Sequence, residues 1–174
     1  MITIINATNR PENQTGKVVD AYKLLLDEAG EENQVFQLSD LQDDFIFASS
    51  YGQVSAHMTN LINTYFDAAD KLVFVAPEYN GSYPGILKAF IDAIHPKHFT
   101  GKRAALVGVA TGRAGNLRGM DHLTDVLHHL GVEVLSNKVP ISKLNDLLDT
   151  KGNLTDEDTL RVLNRQIVKL REFN

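Results

Sequence analysis

The sequence predicts a doubly wound α/β fold, in which helices cover both faces of a parallel β-sheet. Short apolar segments alternate five times with segments of helical periodicity along the 174 residues. Residues 72–76 form an uninterrupted apolar run, typical of a strand that is buried on both faces. No repeat or linker divides the chain. We therefore expect a single ligand-binding domain spanning residues 1–174.

The predicted strands are short and rich in apolar or β-branched residues. They occupy residues 2–6, 34–38, 71–77, 103–110 and 132–141. The second is the most polar, and we expect it at an edge of the sheet. The third is the run noted above, ended by Pro77. Residues 39–53, which contain three acidic and three aromatic residues, are predicted to be a loop.

Five stretches carry the apolar stripe of an amphipathic helix, at i, i+3, i+4 and i+7 spacing. They occupy residues 18–29, 54–66, 87–94, 120–130 and 160–170. Gly30 and Gly131 follow the first and fourth stripes and are predicted to stop those helices. Thr155 is predicted to cap the last helix, with Asp158 three residues later as in a capping box.

Strands that alternate with helices can pack only as a parallel sheet with right-handed crossovers and both faces covered. Five strands suit the order 2-1-3-4-5, so the predicted fold is a flavodoxin-like three-layer sandwich with a five-stranded parallel sheet. The loops that begin at Thr8, Pro77 and Thr111 would then converge on one rim. Ligands of open α/β sheets bind at that rim.

Composition excludes several classes of function. The net charge of −5 gives no basic field for nucleic acid or anionic membranes. Cysteine is absent, which rules out disulfides, thiolate nucleophiles and iron–sulfur clusters. The adjacent pair His128 and His129 faces two sides of a helix, so we predict no metal site. With no leader-like or 20-residue apolar segment, we expect a cytoplasmic protein without membrane or nucleic-acid partners.

The loop after the first predicted strand has the features of an anion site. A helix opens there, so unpaired N–H groups and the positive end of the helix point at one spot. Thr8, Asn13 and Thr15 add polar groups, and Arg10 adds a permanent charge suited to a phosphate monoester. Walker and G-x-G-x-x-G patterns are absent. Alternatively, Thr8 and Asn13 only cap the helix and Arg10 is a solvated surface residue.

The loop after the third predicted strand spans residues 77–83 and is predicted to face a flat ligand. Gly81 allows the backbone to approach a ring closely. Asn80 offers a donor and an acceptor that match the edge of a uracil-like ring. Tyr79 adds aromatic surface for a ligand or for packing, and Glu78 has no partner in sequence that would make it a general acid or base.

The loop of residues 111–115 follows the fourth predicted strand and contains two glycines and Arg113. Its backbone N–H groups can face the edge of a ring, and Arg113 can meet a second, phosphate-bearing substrate. The alternative interpretation is an ordinary turn with an exposed arginine.

Together the three loops resemble the NADPH-dependent FMN reductases, a flavodoxin-like group that includes chromate, quinone and azo-dye reductases. The resemblance covers the whole chain and rests on Thr8-x-Arg10-x-x-Asn13-x-Thr15, Pro77-Glu-Tyr-Asn80-Gly-Ser82-x-Pro84-Gly85-x-Leu87-Lys88-x-x-Ile91-Asp92 and Gly112-Arg-x-Gly115-x-x-Arg118. The second motif is the specific one. The family usually has Gly-Ser in place of Ala7-Thr8, Ser in place of Asn13, and a glycine pair in place of Arg113-Ala114.

The resemblance implies a cofactor site for FMN. The residues that would hold its phosphate are Thr8, Arg10, Asn13, Thr15 and the backbone of Gln14. Those that would border the isoalloxazine ring are Pro77, Glu78, Tyr79 and Asn80, with Thr111, Gly112, Arg113 and Gly115 on its pyrimidine side. FMN would carry the redox chemistry, so no catalytic residue is predicted.

The resemblance also implies an activity and an assembly. NADPH or NADH would be the co-substrate, and hydride would pass through FMN to a small-molecule acceptor: free flavin, a quinone, an azo compound or a metal oxyanion. Such proteins self-associate, so we expect a homodimer or homotetramer. Two alternatives are an FMN-carrying electron-transfer protein without turnover of its own, and a flavin-free scaffold of the same fold.

Overall fold

A parallel β-sheet runs through the computed structural model, which describes residues 1–49 and 53–173. Its strands within these residues are β1 (Ile2–Asn6), β2 (Asn33–Gln37), β3 (Lys71–Pro77), β4 (Arg103–Val109), β5 (Glu133–Val134) and β6 (Val139–Ile141). Their order is β2-β1-β3-β4-β5, and β6 also pairs with β4. All the pairings are parallel. The predicted flavodoxin-like order is confirmed.

Helices cover both faces of the sheet. They are α1 (Thr15–Glu28), α2 (Phe45–Ala48), α3 (Ala56–Ile62), α4 (Gly85–Ala93), α5 (Leu117–His129) and α6 (Glu157–Glu172). A π-helical turn, Asn63–Asp67, continues α3, and short 3₁₀ turns lie at Leu38–Asp40, Pro96–His98 and Leu144–Leu147. The core consists of two clusters, one between the sheet and α1 and α6, the other between the sheet and α3, α4 and α5.

The position of β3 at the centre of the sheet explains why its sequence is continuously apolar. Leu72 and Phe74 pack into the core on one face, while Val73 and Val75 pack into the core on the other. β3 also has a strand on each side, β1 and β4. With no wet face and no free edge, every position from 72 to 77 is buried, as a doubly covered parallel strand requires.

The prediction of one continuous fifth strand over residues 132–141 was wrong, because the structure has two short strands there, β5 and β6. β5 and β6 pair with opposite ends of β4 and are separated by residues 135–138. The buried side chain of Gln166 explains the gap, because its Nε2 donates to the carbonyl oxygens of Leu106 (3.0 Å) and Asn137 (2.6 Å). The Gln166 side chain, on α6, therefore takes up carbonyl groups that a continuous fifth strand would use to pair with β4.

Two further local predictions were wrong. The predicted loop of residues 39–53 contains α2, because Phe45 turns into the core and is buried; residues 50–52, including Tyr51, lie outside the described part. The cap of α6 is Asp156, whose Oδ2 accepts a hydrogen bond from the Thr159 N–H (2.9 Å). Thr155 still belongs to the preceding connection, since its N–H donates to the Leu147 carbonyl (3.2 Å).

Candidate functional site

The loops after β1, β3 and β4 meet at the carboxyl edge of the sheet, as the strand order requires. They border a cleft with a volume of ≈ 320 Å³. Its lining residues are Arg10, Glu12, Asn13, Gln14, Thr15, Pro77, Glu78, Tyr79, Val109, Ala110 and Thr111. Eight of the thirteen predicted site residues are thus brought together. Thr8, Asn80, Gly112, Arg113 and Gly115 lie in the same loops but do not line the cleft.

Asn13 shapes the first loop from within. Its Oδ1 accepts from the Gly16 N–H (2.8 Å), and its Nδ2 donates to the Arg10 carbonyl (2.9 Å). The buried Asn6 at the end of β1 also donates to Asn13 Oδ1 (3.3 Å). Asn13, one residue before the N-cap Gln14, therefore satisfies an N–H group in the first turn of α1 and holds the loop against that turn.

Thr8 and Tyr79 join the first loop to the second. Thr8 is buried, with 1% of its surface exposed. Its Oγ1 lies 2.7 Å from the Tyr79 hydroxyl and accepts from the Arg10 N–H (3.2 Å). The Arg10 guanidinium lies over the Tyr79 ring, 5.3 Å from the ring centroid. The side chains of Arg10 and Tyr79 thus form one wall of the cleft.

The second loop is a two-residue hairpin. Tyr79 and Ser82 exchange both backbone hydrogen bonds, at 2.9 and 3.0 Å. Asn80 and Gly81 between them both have positive φ, 52° and 80°. Asn-Gly is the preferred sequence for such a turn, so Asn80 and Gly81 are a local sequence signal for this hairpin. The Glu78 N–H donates to the Val109 carbonyl (3.0 Å). Among the predicted ring contacts, the N–H groups of Glu78 and Tyr79 are therefore engaged within the protein.

Helix α5 holds the hairpin from outside the cleft. Arg118 lies 3.8 Å from the Glu78 carboxylate and packs over Gly81. His122 Nδ1 lies 2.9 Å from the Ser82 hydroxyl. The close contact depends on Gly119, where an added Cβ would lie 2.7 Å from two backbone atoms of the hairpin.

Burial also raises the pKa of Tyr83, at the base of the hairpin. Its phenol therefore stays neutral through the physiological range.

The third loop presents Thr111 to the cleft and turns its other predicted residues toward the protein or the solvent. The Gly112 carbonyl accepts from the Lys143 N–H (2.8 Å), and the Arg113 carbonyl accepts from the Ser142 hydroxyl (2.7 Å). The Arg113 side chain is exposed. Gly115 has a φ of 56°, and an added Cβ would lie 2.7 Å from Pro140 Cβ. Its glycine therefore serves close packing.

Asn116 was missed by the sequence analysis. It is fully buried with a left-handed backbone, φ 59°. Its Nδ2 donates to the carbonyl oxygens of Ala76 (2.9 Å) and Pro77 (3.1 Å), at the end of β3. Asn116 therefore fixes the third loop relative to the second. An asparagine after Gly115 is a weak local signal for a left-handed residue, but its partners are visible only in the fold.

The fold and the site define a flavodoxin-like domain in which the loop of residues 8–15, which carries Arg10, borders a cleft with one aromatic wall. The chain belongs to the family described as NADPH-dependent FMN reductase, whose sequence model matches residues 1–146. The resemblance predicted from the three motifs is confirmed.

Relatives in sequence match over part of their length. The chain is 39% identical over 107 residues to an NAD(P)H-dependent FMN reductase of Pseudomonas aeruginosa, covering 59% of this chain and 58% of that protein. It is 34% identical over 100 residues to a 2-hydroxy-1,4-benzoquinone reductase of a Burkholderia species, covering 55% of each. The chain thus spans little more than half the length of these curated relatives.

Solved structures match over nearly the whole chain. A flavoenzyme NAD(P)H:(acceptor) oxidoreductase of Paracoccus denitrificans has a TM-score of 0.80 at 23% identity, covering 98% of this chain and 94% of that one. An FMN-dependent NADH-azoreductase of Bacillus anthracis, solved with FMN, has a TM-score of 0.59 at 16% identity, covering 97% and 98%. These likenesses show the shared fold. In the described part of the chain, no helix combines the length and apolarity needed to cross a membrane.

Proposed function

We propose that residues 1–174 act as one FMN-binding domain of an NAD(P)H oxidoreductase, which passes hydride through bound flavin to a second, small-molecule acceptor. The supporting observation is the convergence of three loops on one cleft. Arg10, in the loop after β1, lies at one end, and the hairpin with Tyr79 lies beside it. The family assignment and the names of the relatives support the same activity.

The phosphate end of the cleft fits a phosphate monoester. Arg10 supplies a permanent positive charge, and the first turn of α1 supplies backbone N–H groups from Gln14 and Thr15. Gln14 adds a second indication. Its side-chain Oε1 is enclosed, yet no donor among the described residues reaches it. A hydroxyl group, such as those of the ribityl chain of FMN, is the type of donor that this oxygen lacks.

The ring end fits a flat ligand on one side. Pro77, Tyr79 and Thr111 line it, and Pro77 presents an apolar surface without an N–H group. Because the N–H groups of Glu78 and Tyr79 are engaged, the ring donor from within the cleft would be Thr111, and Asn80, at the tip of the hairpin, would contact a ring that extends beyond the cleft. Gly112, Arg113 and Gly115 would act by shaping the third loop. This assigns the predicted residues to the two ends of one site.

When bound, FMN supplies the redox chemistry, taking hydride from NADPH or NADH and giving it to the acceptor. The protein's own residues bind and orient. Arg10 neutralises the phosphate, the hairpin fixes one wall, and Asn116 holds the third loop against the end of β3. We assign no catalytic acid, base or nucleophile. Free flavin, a quinone, an azo compound or a metal oxyanion is the proposed class of acceptor, and relatives named FMN reductase and quinone reductase support the first two.

We also propose that the protein is a homodimer or homotetramer in the cytoplasm. Phe47, on α2, has 88% of its surface exposed, and packing against a second copy would remove this apolar side chain from water. A second copy is the proposed partner. Light scattering at micromolar concentration tests this, and a monomer would contradict it.

The absorbance spectrum of the purified protein, with and without added FMN, is the first test. A flavin-free scaffold would be colourless, and added FMN would not bind to it. Steady-state NADPH or NADH oxidation with a quinone then separates an enzyme from an electron shuttle, because a shuttle does not turn over alone.

Substitution of Arg10 tests the phosphate site. Because charge-assisted hydrogen bonds contribute about 1.5–3 kcal/mol, we expect Arg10→Ala to weaken FMN binding about 10- to 100-fold with an unchanged circular dichroism spectrum. Arg165→Ala, on the exposed surface of α6, is the matched control and should bind FMN like the wild type. Equal FMN retention by the two variants would show that Arg10 does not contribute to FMN binding.

A further inference from the structure

Tyr79 is anchored at both ends. Its backbone is fixed in the hairpin by two hydrogen bonds to Ser82. Its hydroxyl lies 2.7 Å from Oγ1 of the buried Thr8 in the first loop. The ring therefore reaches from the hairpin to the loop after β1, and contacts to both loops set its orientation.

Arg10 depends on that ring for its position. Its guanidinium lies 5.3 Å from the Tyr79 ring centroid, within the range of a cation–π contact. Among the ion pairs of the described residues, none includes Arg10. An exposed arginine has a long, flexible side chain that would otherwise sample many rotamers. The aromatic face is thus what orients the charge toward the cleft.

We propose that Tyr79 is a positioning residue for the phosphate end of the cleft. By orienting the Arg10 guanidinium toward the phosphate, it makes the protein bind a phosphorylated flavin more tightly than an unphosphorylated one. This assigns Tyr79 a function beyond the ring contact predicted from sequence, and it rests on the proposed FMN site. The hydroxyl bond to Thr8 fixes the ring, and the ring then fixes the guanidinium.

The test compares two ligands that differ only in the phosphate. FMN and riboflavin are titrated into the 174-residue chain freed of flavin, and quenching of flavin fluorescence gives both dissociation constants. We expect Tyr79→Leu to lower the preference for FMN over riboflavin about three- to tenfold, with a smaller effect on riboflavin itself. Tyr79→Phe keeps the ring and should retain most of the preference.

A control and a double variant make the test specific. Tyr65→Leu removes a tyrosine that stacks on Phe36, away from the cleft, and should leave the preference unchanged. If Tyr79 acts through Arg10, Tyr79→Leu has no further effect on the preference in an Arg10→Ala background.

Two results would overturn the proposal: an unchanged preference in Tyr79→Leu, or effects of the two substitutions that simply add. A wild-type protein that binds neither flavin would instead overturn the proposed function, and this inference with it.

Discussion

Replacing Asn116 by alanine removes the two hydrogen bonds that join the third loop to the end of β3. Each such bond contributes about 0.5–1.5 kcal/mol net, and their loss leaves two carbonyl groups without the buried donor. Asn116 also has a φ of 59°, a left-handed conformation that asparagine tolerates better than alanine, by about 1 kcal/mol. We therefore expect Asn116→Ala to lower the free energy of unfolding by about 2–4 kcal/mol.

Two companion variants separate these contributions. Asn116→Gly loses the same hydrogen bonds but tolerates positive φ, so it should be about 1 kcal/mol more stable than Asn116→Ala. Asn116→Asp keeps the shape, but a carboxylate cannot donate to the carbonyls of Ala76 and Pro77 and would be a buried charge. It should be the least stable of the three.

Urea unfolding followed by circular dichroism measures the differences, with the slope of the transition as a check that the unfolded states are comparable. A loss below about 0.5 kcal/mol in Asn116→Ala would show that the two bonds do not stabilise the protein. A glycine variant less stable than the alanine variant would refute the argument from backbone conformation.

Two more predictions concern close packing and capping. Gly119→Ala should lower the free energy of unfolding by about 1–3 kcal/mol, because the added Cβ would lie too close to the hairpin backbone. Gly85→Ala is the control, since a Cβ there has no neighbouring atom within 4 Å. Urea unfolding should show no loss of stability in the control. Asp156→Ala should lower the melting temperature by removing the cap of α6, whereas Thr155→Ala should not. The hydrogen bond from the Thr159 side chain, with that from its backbone, lowers the pKa of Asp156. The capping contribution is therefore present above the unfolded pKa of about 4 and is lost as pH falls through the folded pKa. The difference in melting temperature between wild type and Asp156→Ala should shrink in acid, and a constant difference would contradict this.

The sequence predicted the centre of the sheet well because burial on both faces leaves a direct signature. β3 and β4 are continuous apolar runs, and the predicted bounds of β3 match the structure. The convergence of the three loops followed from strand order alone, since the carboxyl ends of parallel strands share an edge. Neither prediction depended on particular side-chain contacts.

Errors and omissions arose where a distant side chain sets the local structure. The break between β5 and β6 depends on Gln166, which is 29 residues from its partner Asn137. Asn116 contacts a strand 39 and 40 residues away. The contact between Thr8 and the Tyr79 hydroxyl joins residues 71 positions apart, and the phosphate contact of Thr8 stays a prediction. No local pattern encodes such pairings, although the Asn80-Gly81 turn was locally encoded.

The margins of the sheet have a consequence for how copies of this protein can associate. β2 is short and polar, and its Gln34 already bonds to the Thr64 carbonyl (2.7 Å). At the opposite margin, the interruption between β5 and β6 and the Pro140 within β6 deny an incoming strand a continuous ladder. The interrupted margin at β5 and β6 is therefore a poor template for an added strand, which favours association through helices or loops.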